Sequence, residues 1–291
     1  MMLKIVEKKK IWFSISAIII LIGIGFMAFK GLNLGIDFAG GTSVTFEFGG
    51  DFNKEEVDEM VKEYAKDPVT NTVNDTQYEV KSKDFPNDKV TEFVKALKEK
   101  YDTIPEEDSK VIVSQEEVGA SIGKDLTKSS LIALSIAFVA MLIYIAIRFE
   151  FKFGIAALTA LIHDVLITLS VYAVFGISVN SPFIAAVLTI IGYSINATIV
   201  IFDRIRENRR ANRRSDVNEL ADKSITQTMA RSINTTLTTL FTIVAVFIFV
   251  PSVRDFSFPI IIGILSGTYS SIAIAPSVWS LLEKRIKKST K

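Results

Sequence analysis

No cysteine occurs among the 291 residues, which removes disulfides, thiolate nucleophiles and Cys-ligated metals. Histidine is nearly as scarce: His163 stands alone, so neither an HExxH motif nor a multi-histidine metal cluster can be built. Net charge is small too. The 33 Lys and Arg almost cancel the 32 Asp and Glu, so the charge balance names no partner and implies no nucleic acid. These absences exclude most hydrolase and metalloenzyme chemistry. No catalytic residue, metal or cofactor is expected, and the chain does not read as an enzyme.

Apolar residues are abundant, at 49% of the chain with 21 Phe, so part of the solvent must be lipid. A spanning helix needs about 20 predominantly apolar residues. Six stretches approach that length: 11–29, 129–147, 153–175, 182–202, 231–250 and 258–282. The first follows Lys8, Lys9 and Lys10, as a secretory signal would. It is too long for a signal core and has no small-residue cleavage site, so it is predicted to be a retained span. Lys4 and Lys8 to Lys10 at one end of that span, and Arg204, Arg206, Arg209, Arg210, Arg213 and Arg214 after the fourth, belong in the cytoplasm by the positive-inside rule. Lys284, Arg285, Lys287 and Lys288 then fall on the same side.

Between Gly31 and Lys128 the composition turns polar, as in a folded α+β domain on the opposite side of the membrane. Thr42 to Phe48 alternates, placing Val44, Phe46 and Phe48 on one face of a strand. Asn53 followed by Glu56 signals a capped helix, with Val57, Met60, Val61 and Tyr64 at helical spacing. A second helix carries Val90, Phe93, Val94, Leu97 and Tyr101, and strands are predicted near 77–81 and 110–115. The pattern fits a split-βαβ, ferredoxin-like module. The chain thus divides into a cytoplasmic N-terminus and first span, 1–30; an extracytoplasmic domain, 31–128; a five-helix membrane region, 129–282, with a basic cytoplasmic loop at 203–230; and a cytoplasmic tail, 283–291.

Candidate functional residues are the polar groups inside the spans, because an unpaired charge there costs at least about 2.5 to 3.5 kcal/mol. His163 and Asp164 lie near the middle of the third span. They form either a proton relay or a neutral hydrogen-bonded pair. Gly192, Ser194, Asn196 and Thr198 in the fourth span read as close helix packing or as a polar seam. Its end, Asp203, Arg204, Arg206 and Glu207, suits an interfacial helix with local ion pairs. In the fifth, Arg231, Thr235, Thr238 or Thr239, and Thr242 share a face, as an anchor with a polar stripe or as a lined path. Gly35, Asp37, Gly40 and Gly41 lack the Lys-Ser/Thr of a phosphate loop and read instead as a tight turn coupling the first span to the outer domain.

The segments LGIDFAGGT, EVGASIGKDL, AALTALIHDV and IIGYSINATIVIFDRIREN resemble the SecF family, whose members pair with SecD beside the bacterial Sec translocon. The resemblance covers nearly the whole chain. It implies half of an RND-like fold in the cytoplasmic membrane, with SecD, the SecYEG channel, YajC, membrane lipids and the translocating preprotein as partners. It also implies a role in drawing preproteins outward with an ion gradient, protons or sodium, after SecA has pushed them. By the same resemblance, the intramembrane path uses an acid directly after the Asn of GYSIN and the Arg opening the fifth span. The Arg matches at Arg231, but the acid is replaced by Ala197, which cannot hold a proton. Coupling would then pass through Asp164 and the partner's carboxylate, or be absent. The alternatives are a half-transporter exporting lipids or hydrophobic small molecules and an uncoupled scaffold for SecD.

Overall fold

A computed structural model describes residues 3–73, 76–148, 150–212 and 215–289; Arg213 and Arg214, and the side chains of Lys287 and Lys288, lie outside that description. Among the described residues, six helices are long and apolar enough to cross a membrane. The first is α1, Lys9–Lys30, which leads through a short helix, α2 (Ile36–Ala39), into a sheet domain.

That domain runs β1 (Gly41–Glu47), α3 (Lys54–Val61), β2 (Val69–Val73), β3 (Gln77–Ser82), α4 (Asn87–Lys100), α5 (Asp108–Val111) and β4 (Ile112–Val118). The strands form an antiparallel sheet in the order β2-β3-β1-β4. Asn53 caps α3 by accepting from the N–H groups of Glu55 at 3.0 Å and Glu56 at 3.4 Å. The apolar face of β1 meets the stripe of α4, with Phe46 edge-on to Phe93 at 5.2 Å. Val44, Phe46, Phe48, Tyr78, Val90, Phe93 and Leu97 are buried in a core of the domain's own.

Two local features depart from the sequence pattern. The last strand begins at Ile112 rather than 110, because residues 108–111 close a helical turn first. Strand β2 carries no apolar alternation: Thr70 and Thr72 pair with Val80 and Tyr78 on the core side, and Thr70 donates to Asp58 of α3 at 2.6 Å. A hydroxyl satisfied by a carboxylate takes the place of the apolar side chain that pattern reading requires.

The remaining helices are α6 (Ala120–Arg148), α7 (Phe151–Phe175), α8 (Ser181–Ala211), α9 (Val217–Phe249), α10 (Arg254–Tyr269) and α11 (Ala275–Ser289). A π-helical turn, Ser270–Ile274, joins the last two within one candidate span, Pro251–Arg285, so the sixth span changes register there without breaking. Helix α6 starts well before residue 129, and the predicted 203–230 loop is mostly helix, since α8 continues to Ala211 and α9 starts at Val217. Asn208 of α8 holds this extension by donating to Ser224 and Gln227 of α9, each at 2.8 Å. Beside it Arg209 meets the buried Glu283 of α11 at 2.9 Å, which also takes Lys152 at 2.7 Å.

Helix α7 lies in the interior of the bundle, against α1, α8, α10 and α11. Small residues set the approach. A Cβ at Gly23 of α1 would collide with Ser170 of α7, and one at Gly263 of α10 would collide with Ile190 of α8.

Candidate functional site: a buried carboxylate where four spans meet

Asp164 is 1% exposed, yet its carboxylate is fully hydrogen-bonded. On Oδ1 it meets His163 Nδ1 at 3.0 Å and accepts from Ser266 Oγ at 2.7 Å. On Oδ2 it accepts from Ser194 Oγ at 2.6 Å and Ser270 Oγ at 2.8 Å. These partners come from α7, α8, α10 and the π-helical turn, so one carboxylate ties three spans together. The π-helical turn fixes part of this geometry, because its register brings Ser270 toward Asp164 and Ser271 toward α8, where Ser271 meets Thr198 at 2.9 Å.

The fourth span in the network, α1, enters through the histidine. His163 Nε2 lies 2.9 Å from Ser16 Oγ, Ser16 lies 3.1 Å from the Tyr269 hydroxyl, and that hydroxyl donates to the Trp12 carbonyl at 2.7 Å. Proton counting along this line is restrictive. The carbonyl can only accept, so the Tyr269 proton is used there. Ser16 must then donate to Tyr269, and His163 must donate to Ser16 from a protonated Nε2. The contact between His163 Nδ1 and Asp164 Oδ1 is left holding one proton, carried by either atom. With it the pair is an imidazolium and carboxylate, or an imidazole and carboxylic acid. Without it two lone pairs face each other at 3.0 Å.

The other predicted residues are placed elsewhere. Asn196, Arg231 and Thr235 are exposed on the outer surfaces of α8 and α9, and Ala197 is half-buried beside them. The threonine stripe is satisfied by its own helix: Thr238, Thr239 and Thr242 donate to the carbonyls of Asn234 or Thr235, Thr235, and Thr238. Within the span, the threonine of α9 that turns inward is Thr236, one position from the predicted stripe, which meets Thr268 at 2.7 Å and Tyr193 at 3.1 Å; Thr228, nearer the start of the helix, is buried as well. Sequence reasoning misses Ser16, Ser266, Tyr269 and Ser270 as site residues; the polar run SGTYSS within the sixth apolar stretch carries the signal for the last three, whereas Ser16 sits in an apolar run without such a signal.

At the end of the bundle away from the sheet domain, Asp203 lies 3.5 Å from Arg148, Arg204 pairs with Glu207 at 2.7 Å, and Arg206 donates to the Arg148 carbonyl at 3.3 Å. At the domain end, Gly35 N–H donates to the Val179 carbonyl at 2.7 Å and the Asp37 carboxylate accepts from Ser181 N–H at 2.7 Å. Gly40 and Gly41 have φ of 81° and 146°, and a Cβ on Gly41 would strike Ile36 and Ser82, so this turn requires glycine. Among the described residues, no group of three or more His, Cys, Asp or Glu is placed to hold a metal.

Residues 98–285 match the profile of the family described as protein export membrane protein SecD/SecF, C-terminal, and residues 25–51 match the SecD/SecF GG motif. The protein translocase subunit SecF of Acidaminococcus fermentans is 38% identical over 290 residues, covering 98% of both chains. The translocase subunit SecDF of Bacillus subtilis is 35% identical and spans 94% of this chain but only 37% of its own. The crystal structure of SecDF, a translocon-associated membrane protein, from Thermus thermophilus superposes with a TM-score of 0.82 at 31% identity. It covers 98% of this chain, which spans 39% of that longer one. The glycine turn falls within one matched region and the Asp164 network largely within the other, and on these likenesses the chain belongs to the SecD/SecF family of protein-export membrane proteins as a multi-pass SecF-type subunit.

Proposed function

We propose that the chain serves protein export as the SecF half of a SecD–SecF unit, using an ion gradient to draw preproteins across the cytoplasmic membrane after the SecA step. The observation that carries this reading is the single proton counted between His163 Nδ1 and Asp164 Oδ1 at the meeting point of four spans. The pair is neutral overall when loaded, which offsets the cost of burying either charge alone. Losing the proton changes the electrostatics of a contact surrounded by serine donors. A charge crossing 100 mV supplies about 2.3 kcal/mol, enough to bias a two-state arrangement.

Several further assignments follow from the same reading. The basic residues of the N-terminus and of the α8 to α9 connection put those ends in the cytoplasm and the sheet domain outside. We assign residues 31–128 to that outer domain, 129–282 to the membrane region and 283–291 to the tail. The strand order β2-β3-β1-β4 with two crossing helices supports a ferredoxin-like fold, and the bundle is half of an RND-like pair. Asn196, Arg231 and Thr235, polar and exposed on apolar helices, form the face that SecD covers. The Bacillus subtilis relative, named SecDF and much longer than this chain, supports a pairing of two such halves. SecYEG, YajC and membrane lipids complete the surroundings.

One observation favours a second reading. Ala197 stands where the resemblance to SecF implies an acid, as expected of a subunit that holds SecD in place without moving ions. The deciding experiment is gradient-driven completion of preprotein translocation in vesicles containing this chain and its SecD. Asp164→Asn should abolish the response to the gradient if the proton reading holds. If the original chain shows no response and Ala197→Asp creates one, the scaffold reading is correct.

A further inference from the structure

A second polar cluster lies where the sheet domain meets the bundle, and it hangs on the same helices as the first. Lys81 of β3 sits 3.1 Å from Glu79 and 3.6 Å from Asp255 in the first turn of α10. Asp255 also accepts from Asn180 Nδ2 at 2.8 Å, and Asn180 caps α8 by accepting from Phe183 N–H at 3.2 Å. Burial works against the Lys81 ammonium, but Glu79, Asp255 and the more distant Asp37 outweigh it and hold its pKa above the ordinary range. A neighbouring contact, Asn71 Nδ2 to the Pro251 carbonyl at 3.3 Å, fixes β2 to the same corner. Between these contacts lies a cleft of about 240 Å³.

Helix α10 touches both clusters, with Asp255 at its start and Ser266 roughly 16 Å further along its axis. The stretch between is bounded by two soft joints. Pro259 has no N–H to donate to the Asp255 carbonyl, so the first turn is only loosely tied to the rest. The π-helical turn Ser270–Ile274 loosens the other end. Gly263 and Gly267 let the middle run close along α8 at Ile190 and Ser194.

We propose that residues 260–269 form a rod connecting the Asp164 network to a latch, Lys81–Asp255–Asn180, which holds the outer domain against the bundle. This arrangement rests on reading the His163–Asp164 pair as the proton carrier. The bonds from Ser194, Ser266 and Ser270 coexist with the one proton shared by His163 Nδ1 and Asp164 Oδ1. Loss of that proton sets two lone pairs against each other, the carboxylate turns away from His163, its bonds from Ser266, Ser194 and Ser270 rearrange, and α10 is freed to shift. The titratable groups placed about Asp164 are His163 at 3.0 Å and, through Ser16, Tyr269; the elements packed there otherwise present the hydroxyls of Ser194, Ser266 and Ser270.

Because the chain has no cysteine, spin labels can be placed directly at Glu92→Cys on α4 and Phe175→Cys at the end of α7, both exposed. Distances between them would be read by double electron–electron resonance on the full chain in lipid nanodiscs. Lys81→Gln and Asp255→Asn should each raise the undocked share by about threefold, the scale of one partly exposed ion pair. Asp164→Asn and Ser266→Ala should do the same, whereas Ser194→Ala, on α8 and off the rod, should not. Adding Asp164→Asn to Asp255→Asn should give no further change.

Unchanged distances in Lys81→Gln and Asp255→Asn would mean there is no latch. A latch that opens in those variants but ignores Asp164→Asn and Ser266→Ala would sink the rod. If Asp164→Asn does not fold, Ser266→Ala decides, since it leaves the carboxylate three of its partners. Export measured on the same variants separates the two ideas. Lost gradient response with an unmoved latch overturns the rod alone, whereas normal gradient response with a moved latch overturns the proton reading and keeps the rod.

Discussion

Asp164 shows what a buried charge requires: four partners, three of them serine hydroxyls, in place of the water it has lost. Removing a hydroxyl therefore leaves a carboxylate oxygen underserved. Ser270→Ala is expected to lower thermal stability by about 1 to 3 kcal/mol, read as an earlier melt of the full chain in detergent. No change would show that another donor replaces it. Asp58 in the outer domain poses the same problem in a milder setting. Burial raises its pKa, but bonds from Lys54, Thr70 and Tyr78 outweigh this and hold it below the ordinary 3.8. A carboxylate depressed in the folded state contributes stability above its unfolded pKa and loses it as pH falls through the folded value. Amides of β2 and β3 should therefore exchange faster as pH drops below about 4, after correction for intrinsic rates, and Asp58→Asn should remove that acid sensitivity.

At the scale of elements, apolar runs were legible and polar substitutions within them were not. The six spans could be read because lipid demands long apolar stretches, and α4 because Val90, Phe93, Val94 and Leu97 fall on one stripe. Strand β2 could not, since its inward Thr70 is satisfied by Asp58 from another element. His163 and Asp164 were visible as an expensive pair, but the serines that serve them come from distant positions and acquire meaning only once α10 and the π-helical turn are packed. Arg231 and Thr235 were grouped with that pair because both sets are polar and intramembrane, whereas helix rotation puts them on the outer face. The close contact of α10 with α8 gives another test. Gly263→Val should cost about 1 to 3 kcal/mol by forcing Ile190 aside, measured by chemical unfolding, and tolerance of Val would mean the two helices do not approach as described.

At the scale of the whole molecule, the apolar cores of the two parts are separate: one lies inside the sheet domain and two lie inside the bundle, with polar contacts between domain and bundle. Such a joint allows the domain to move as a unit, unlike one buried in apolar packing. The exposed polar residues of α8 and α9 are the corresponding feature on the flank, and Thr235→Cys should crosslink to the SecD half in membranes. A surface open to lipid would give no such product. The claim on which the functional account depends is that the His163–Asp164 pair carries the coupling proton. Its most direct test is gradient-driven completion of translocation in vesicles, comparing the original chain with Asp164→Asn at matched levels of assembled complex. The account predicts that the variant retains SecA-driven entry of preprotein and loses the added response to the gradient. An undiminished gradient response in Asp164→Asn would contradict it.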